Sequence, residues 1–146
     1  MEPGILQLNG WKNYAIYLLF EFMGTLMLLF GIMMSTPSSP YLGVIFLFIA
    51  ICLFGRYTGG YFNGAISLAV FLFNIEKWRQ NLLTLILTNL AEWLGAYFGV
   101  LLAYIFIGTG MSYSHPADTS TVVSVVALEA IASYFMITFI MYCKTS

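Results

Sequence analysis

Long apolar runs, broken by short polar segments, make up most of this chain. Four of these runs have the length of membrane-crossing helices, and the pattern predicts spans near 13–34, 40–57, 81–107 and 121–143. The second run is only just long enough to cross a bilayer core of ~30 Å, whereas the third permits a tilted helix. We therefore predict an all-α integral membrane protein with four transmembrane helices in a single membrane domain, 1–146.

A glycine-rich polar stretch interrupts this apolar pattern after the second run. It reads GRYTGGYFNGAISLA, and its residues Gly59 and Gly60 permit backbone conformations that other residues avoid. Asn63 stands where a helix N-cap belongs, before a short apolar helix predicted over 64–73. At ~1.5 Å per residue, such a helix covers about half of a bilayer core. The stretch therefore predicts a re-entrant loop and half-helix over about 58–73.

The basic residues indicate how the chain is oriented in the membrane. If the half-helix returns to the face from which the loop leaves, the five basic residues all lie on the side of the N-terminus: Lys12, Arg56, Lys77, Arg79 and Lys144. The loops on the other face carry no Lys or Arg, which is a strong positive-inside bias that five complete spans would lose. We therefore predict that both termini face the cytosol, or the matrix if the membrane is the mitochondrial inner membrane.

Composition supports a membrane protein and excludes several other classes. The chain is 61% hydrophobic and 8% charged, a balance that soluble globular domains do not show. Its net charge of −1 gives no indication of a nucleic-acid partner. Cys52 and Cys143 form no spaced pattern, and the single histidine, His115, lies in a polar loop without metal-ligand neighbours. Without a phosphate loop or nucleophile motif, we expect neither an enzyme nor a cofactor or metal.

Three glutamates lie about ten residues inside the predicted spans: Glu21, Glu92 and Glu129. A carboxylate at that depth is costly, so each is expected to be satisfied within the protein or to serve a function. Small residues follow Glu21 and Glu129 at three and four positions, which lets another backbone approach. We expect all three to be buried structural residues and Glu21 and Glu129 to accept hydrogen bonds from the loop. A proton-relay role for Glu92 remains an alternative.

Together these motifs resemble the aquaporin, or major intrinsic protein, family. The family's first helix carries Glu-x-x-Gly-Thr, and this chain has EFMGT beginning at Glu21. Its third helix carries Ala-Gln-x-x-Gly-Ala, and this chain has AEWLGA with Glu92 in the place of glutamine. Glu129 matches the glutamate that opens the family's second repeat. The resemblance implies an aquaporin-like partial fold, with one repeat and the first helix of the next.

The re-entrant loop carries the most specific part of the resemblance. The family's loop contains Asn-Pro-Ala, and this chain has Asn63, Gly64 and Ala65 there, after the pore-like loop residues Gly59 and Gly60. Glycine in place of the proline loosens the helix start at a cost of roughly 1 kcal/mol. The sequence ends soon after the fourth span, so the second half-helix and the selectivity-filter arginine are expected to be absent.

The missing pore half determines the function that the sequence favours. An uncovered polar turn would face lipid at several kcal/mol per unsatisfied group, so other membrane subunits are expected to cover the open face. We therefore expect a structural or accessory subunit of a larger membrane complex. The alternative is a channel component for water or small neutral solutes, with Asn63 as a donor and a partner chain completing the pore. Lys77 and Arg79 are candidates for contacts with anionic lipid headgroups in either case.

Overall fold

The structure is a computed structural model that describes residues 10–36, 39–108 and 119–145. The regular secondary structure of these residues is entirely helical. The α-helices are α1 (Trp11–Met34), α2 (Leu42–Ala50), α3 (Arg56–Thr58), α4 (Gly64–Phe73), α5 (Trp78–Ile107) and α6 (Thr119–Thr145). A π-helical turn, Ile51–Gly55, joins α2 to α3, and a 3-10 turn, Ile75–Lys77, precedes α5. The predicted loop around His115 lies outside the described residues.

Three helices are long and apolar enough to cross a membrane: Trp11–Met34, Ile75–Ile107 and Val122–Ile140. They confirm the predicted helical membrane class at this level. The run expected to form the second span near 40–57 is a shorter helical stretch, Leu42–Thr58. Its 17 residues would extend about 25 Å, less than a typical bilayer core, so length alone gives three spans rather than four.

The chain divides into two compact units, Met1–Ser112 and Tyr113–Ser146. The first unit contains α1 to α5, and within it α1 packs most extensively against α5 and next against α2. The second unit contains α6, which begins two residues before the predicted span and whose stretch Val122–Ile140 has no buried side chain. Among the described residues of this unit Glu129 is exposed, and its expected burial stays a prediction.

A tight turn joins α1 to α2 and makes the two helices antiparallel. The Ser39 backbone N–H donates to the Thr36 carbonyl over 2.9 Å and closes the turn. The Ser35 hydroxyl accepts a hydrogen bond from the Gly43 backbone N–H at the start of α2. Farther along, the Phe20 ring contacts the ring of Phe54 on the π-helical turn that follows α2. Residue numbers therefore fall along α1 as they rise from α2 into this turn.

In contrast, α1 and α5 run parallel to each other. The Thr88 hydroxyl donates to the Tyr17 hydroxyl over 3.3 Å, and Gly99 lies against the Leu26 carbonyl. Because both sequence numbers rise together along the contact, the two helices begin at the same end of the unit. The exposed cations at this end are Lys12, Lys77 and Arg79.

Two glycines allow the close approach of α5 to α1. A Cβ atom on Gly99 would lie 2.5 Å from the Leu26 carbonyl oxygen, and one on Gly95 would overlap the Phe22 carbonyl oxygen. Both obstacles are backbone atoms, which cannot move aside as a side chain can. Small residues of this kind are what lets membrane helices pack closely, and they fix the register of α5 on α1.

We predict that Gly95→Leu forces α5 away from α1 and lowers the free energy of unfolding by about 1–3 kcal/mol. The new side chain meets backbone atoms of α1, which cannot move aside locally. Unfolding of the purified protein in detergent measures the change. Leu94→Phe is the matched control, since it enlarges an exposed side chain on the same helix. Equal losses for the two variants would contradict the proposed packing.

Candidate functional site

The polar turn between α3 and α4 has an unusual backbone that its sequence makes possible. Gly59 and Gly60 have φ values of 91° and 66°, in the left-handed region that glycine tolerates. The Thr58 hydroxyl accepts the Gly60 backbone N–H over 3.1 Å. Phe62 also has a positive φ, 47°, which is rare for a bulky residue and needs support from its surroundings.

Glu21 of α1 provides that support. Its side chain is fully buried, and its Oε2 atom accepts the backbone N–H of Phe62 over 2.9 Å. The Phe62 ring is also buried and occupies the space beside Gly24, where a Cβ atom would overlap the ring. One turn of α1 therefore holds both the backbone and the side chain of the strained residue.

Glu92 of α5 attaches the half-helix α4 by a hydrogen bond, as Glu21 attaches the turn. Its Oε1 atom accepts the Ser67 hydroxyl over 2.8 Å, and the residue is 2% exposed. The Glu21 carboxyl group and the backbone of Asn63 also interact with the Glu92 carboxyl group. The two predicted membrane carboxyl groups thus meet at the start of α4, one from each of two parallel helices.

Asn63 is the N-cap of α4, as its position in the sequence predicts. Its Oδ1 atom accepts the Ala65 backbone N–H over 2.9 Å, and its backbone is extended, with φ −158°. Asn63 and Gly64 are half-buried, whereas Ala65 is exposed. The start of α4 therefore has one face against the two glutamates and another face that is open.

The turn lies at mid-height of the unit. Glu21 stands near the middle of the 24-residue α1, and Glu92 near the middle of the 30-residue α5. Only residues 74–77 lie between the end of α4 and the start of α5, so α4 runs from this middle level towards the end of the unit where α1 and α5 begin. Irregular backbone at this level needs cover from protein or water if the helices cross a membrane.

Buried hydroxyl groups extend the polar site beside the two carboxyl groups. Tyr17, Thr88 and Tyr61 are all buried, and Thr88 joins Tyr17 by the hydrogen bond between their hydroxyls.

Sequence reasoning missed several residues of this site: Tyr17, Phe62, Ser67, Thr88 and Asn89. Asn89 is the most informative, because its Oδ1 atom occupies the position that a Cβ atom on Gly64 would need. Asn89 stands three residues before Glu92, so the two share a helical face, and this spacing could have identified it.

The predicted lipid-contacting residues lie away from this site. Lys77 and Arg79 are exposed at the start of α5, and the Arg79 guanidinium lies 5.4 Å from the centre of the Trp78 ring. Within the described residues, no three His, Cys, Asp or Glu side chains come together in a way that could hold a metal ion.

We predict that Glu21→Gln destabilises the protein less than Glu21→Leu. The amide oxygen of glutamine still accepts the Phe62 N–H, whereas leucine leaves this buried donor unpaired, at a cost of about 1–3 kcal/mol. Thermal unfolding in detergent compares the two variants. Equal losses would show that the hydrogen bond does not support the turn.

We predict that Gly64→Ala and Asn89→Ala are coupled. The added methyl group displaces the Asn89 side chain, which its hydrogen bond to the Leu85 carbonyl otherwise holds in place. The double variant should therefore lose less unfolding free energy than the two single variants lose together, by about 0.5–3 kcal/mol. Unfolding of the four proteins in a double-mutant cycle measures this term, and strict additivity would contradict the contact.

Comparisons with known proteins identify no relative of this chain: no protein-family model matches it, no curated protein matches it, and no solved structure matches it. The resemblance to aquaporins therefore remains a prediction that rests on the sequence motifs of α1, α5, α6 and the turn.

Proposed function

We propose that the chain is an aquaporin-like, multi-pass membrane protein and a structural or accessory subunit of a larger membrane assembly. The observation that carries the proposal is the open tip of α4 at mid-height. Ala65 is exposed there, as is the hydrogen bond between its backbone N–H and Asn63 Oδ1. Polar backbone at this level is not stable against lipid, so a further protein surface or water must cover it.

The inward direction of the polar side chains favours a structural subunit. Glu21 is engaged by the Phe62 backbone and Glu92 by Ser67, while Tyr61 is buried beside them. These groups hold the turn in place rather than lining an open passage. The turn is then a rigid, shaped surface against which helices of another subunit pack.

A channel component, completed by a partner chain, is the second candidate function. Asn63 favours it, because its side-chain oxygen is occupied by the Ala65 N–H and its orientation is thereby fixed. The NH2 group of the Asn63 amide then faces away from α4, where it can donate a hydrogen bond to water or a small neutral solute.

The membrane topology that we propose has four crossings and a re-entrant α4. In this arrangement α2 and α3 together form the short second crossing, and α6 forms the fourth. The end of the first unit with Lys12, Lys77 and Arg79 faces the cytosol or the matrix, in line with the positive-inside rule. Lys77 and Arg79 contact anionic lipid headgroups on that side.

Photo-crosslinking from the tip of α4 tests the subunit proposal. We expect a photoreactive side chain at Ala65, in native membranes, to give one discrete protein adduct, because another subunit covers this exposed position. The matched position is Val44, exposed on α2, where we expect adducts with lipid. Lipid adducts alone at both positions would overturn the proposal.

Water transport separates the two candidate functions. The purified chain in vesicles should give an osmotic water permeability no higher than that of empty vesicles, and Asn63→Asp should leave it unchanged, because one half-helix does not enclose a single-file path. Stopped-flow light scattering measures this rate. A high permeability that falls in Asn63→Asp would favour the channel.

A further inference from the structure

One oxygen of the Glu92 carboxyl group is buried without a hydrogen-bond donor from the described residues. Ser67 donates to Oε1, but Oε2 is buried and receives no hydrogen bond of good geometry from the described residues. This atom lies 3.7 Å from the position that a Cβ atom on Gly64 would take. A carboxylate in the middle of a membrane-length helix is costly, and the hydrogen bond from Ser67 leaves this second oxygen without a donor.

The group opposite Glu92 is a second carboxyl group rather than a cation. Glu21 is fully buried, and its carboxyl group is close enough to that of Glu92 for the two to interact directly. Ionised carboxylates only accept hydrogen bonds, so a hydrogen bond between two carboxyl groups requires a proton on one of them. Two adjacent like charges in a site of low dielectric constant also repel each other.

The surroundings of the pair offer hydrogen-bond donors but no cation. Glu21 Oε2 accepts the Phe62 N–H and Glu92 Oε1 accepts the Ser67 hydroxyl, so Glu92 Oε2 is the oxygen left to hold a proton. Within the part of the chain that the structure describes, the other titratable groups that interact with the pair are the hydroxyls of Tyr17 on α1 and Tyr61 on the turn, and α4 has no titratable side chain. Neither hydroxyl is a cation that would stabilise a second negative charge.

We propose that Glu21 and Glu92 form a proton-binding site at mid-height of the unit. Glu92 Oε2 holds one exchangeable proton and donates a hydrogen bond through it to the Glu21 carboxylate. The pair then carries a single negative charge beside the start of α4, where the helix dipole favours one. Loss of the proton places two charges against each other and loosens the attachment of α4. The site thereby links protonation to the position of the half-helix.

Infrared spectroscopy of the purified full chain in lipid nanodiscs tests this site directly. At neutral pH we expect a carbonyl band of a protonated carboxylic acid that shifts in deuterated water. Glu92→Gln should remove one carboxylic acid equivalent from this band. Glu76→Gln, at an exposed position before α5, and Glu129→Gln on α6 are the matched controls and should leave that equivalent in place.

A second variant keeps the test decisive if Glu92→Gln does not fold. Ser67→Ala removes the hydroxyl that donates to Glu92 Oε1, the carbonyl oxygen of the protonated acid. We therefore expect the band to keep its intensity and move to higher wavenumber. A spectrum without a carboxylic acid band at neutral pH, a band unaffected by Glu92→Gln, or one that does not move in Ser67→Ala would each overturn the proposal.

Discussion

A single hydrogen bond, from the Phe62 backbone to the Glu21 carboxyl group, sets the constraint on which this structure depends. Breaking a helix at mid-height of a membrane protein exposes backbone groups that lipid cannot satisfy. The turn before α4 has this problem, and Phe62 also has a left-handed backbone. A buried acceptor on a neighbouring helix addresses both at once, because it pairs the N–H group and fixes the conformation.

The position of that acceptor depends in turn on close helix packing. Gly95 and Gly99 bring α5 against the backbone of α1, so that Glu92 arrives at the level of Glu21. Gly24 leaves room for the Phe62 ring, and Gly64 leaves room for Asn89. Glycine at these four positions therefore serves one purpose, the convergence of two helices and a turn on a small polar site. A larger residue at any of them meets an atom already in place.

The same arrangement accounts for both candidate functions and for the carboxyl pair. Polar groups that point inward hold the turn, while Asn63 and Ala65 are left at the open side of α4. A subunit that packs against this side would complete the fold, and a partner that leaves a passage would complete a pore. In either case the charge on the Glu21–Glu92 pair acts on the turn, because both carboxyl groups contact it or α4.

The sequence by itself determined the local features of this protein. Apolar runs predicted the long helices, and the N-cap at Asn63 predicted the start of α4, because these depend on neighbours along the chain. The tertiary structure decided which side chains meet. The pairing of Glu21 with Glu92 and the contact of Asn89 with Gly64 depend on the register between helices distant in sequence. The spacing within one helix defines a face, but only packing between backbones decides what that face touches.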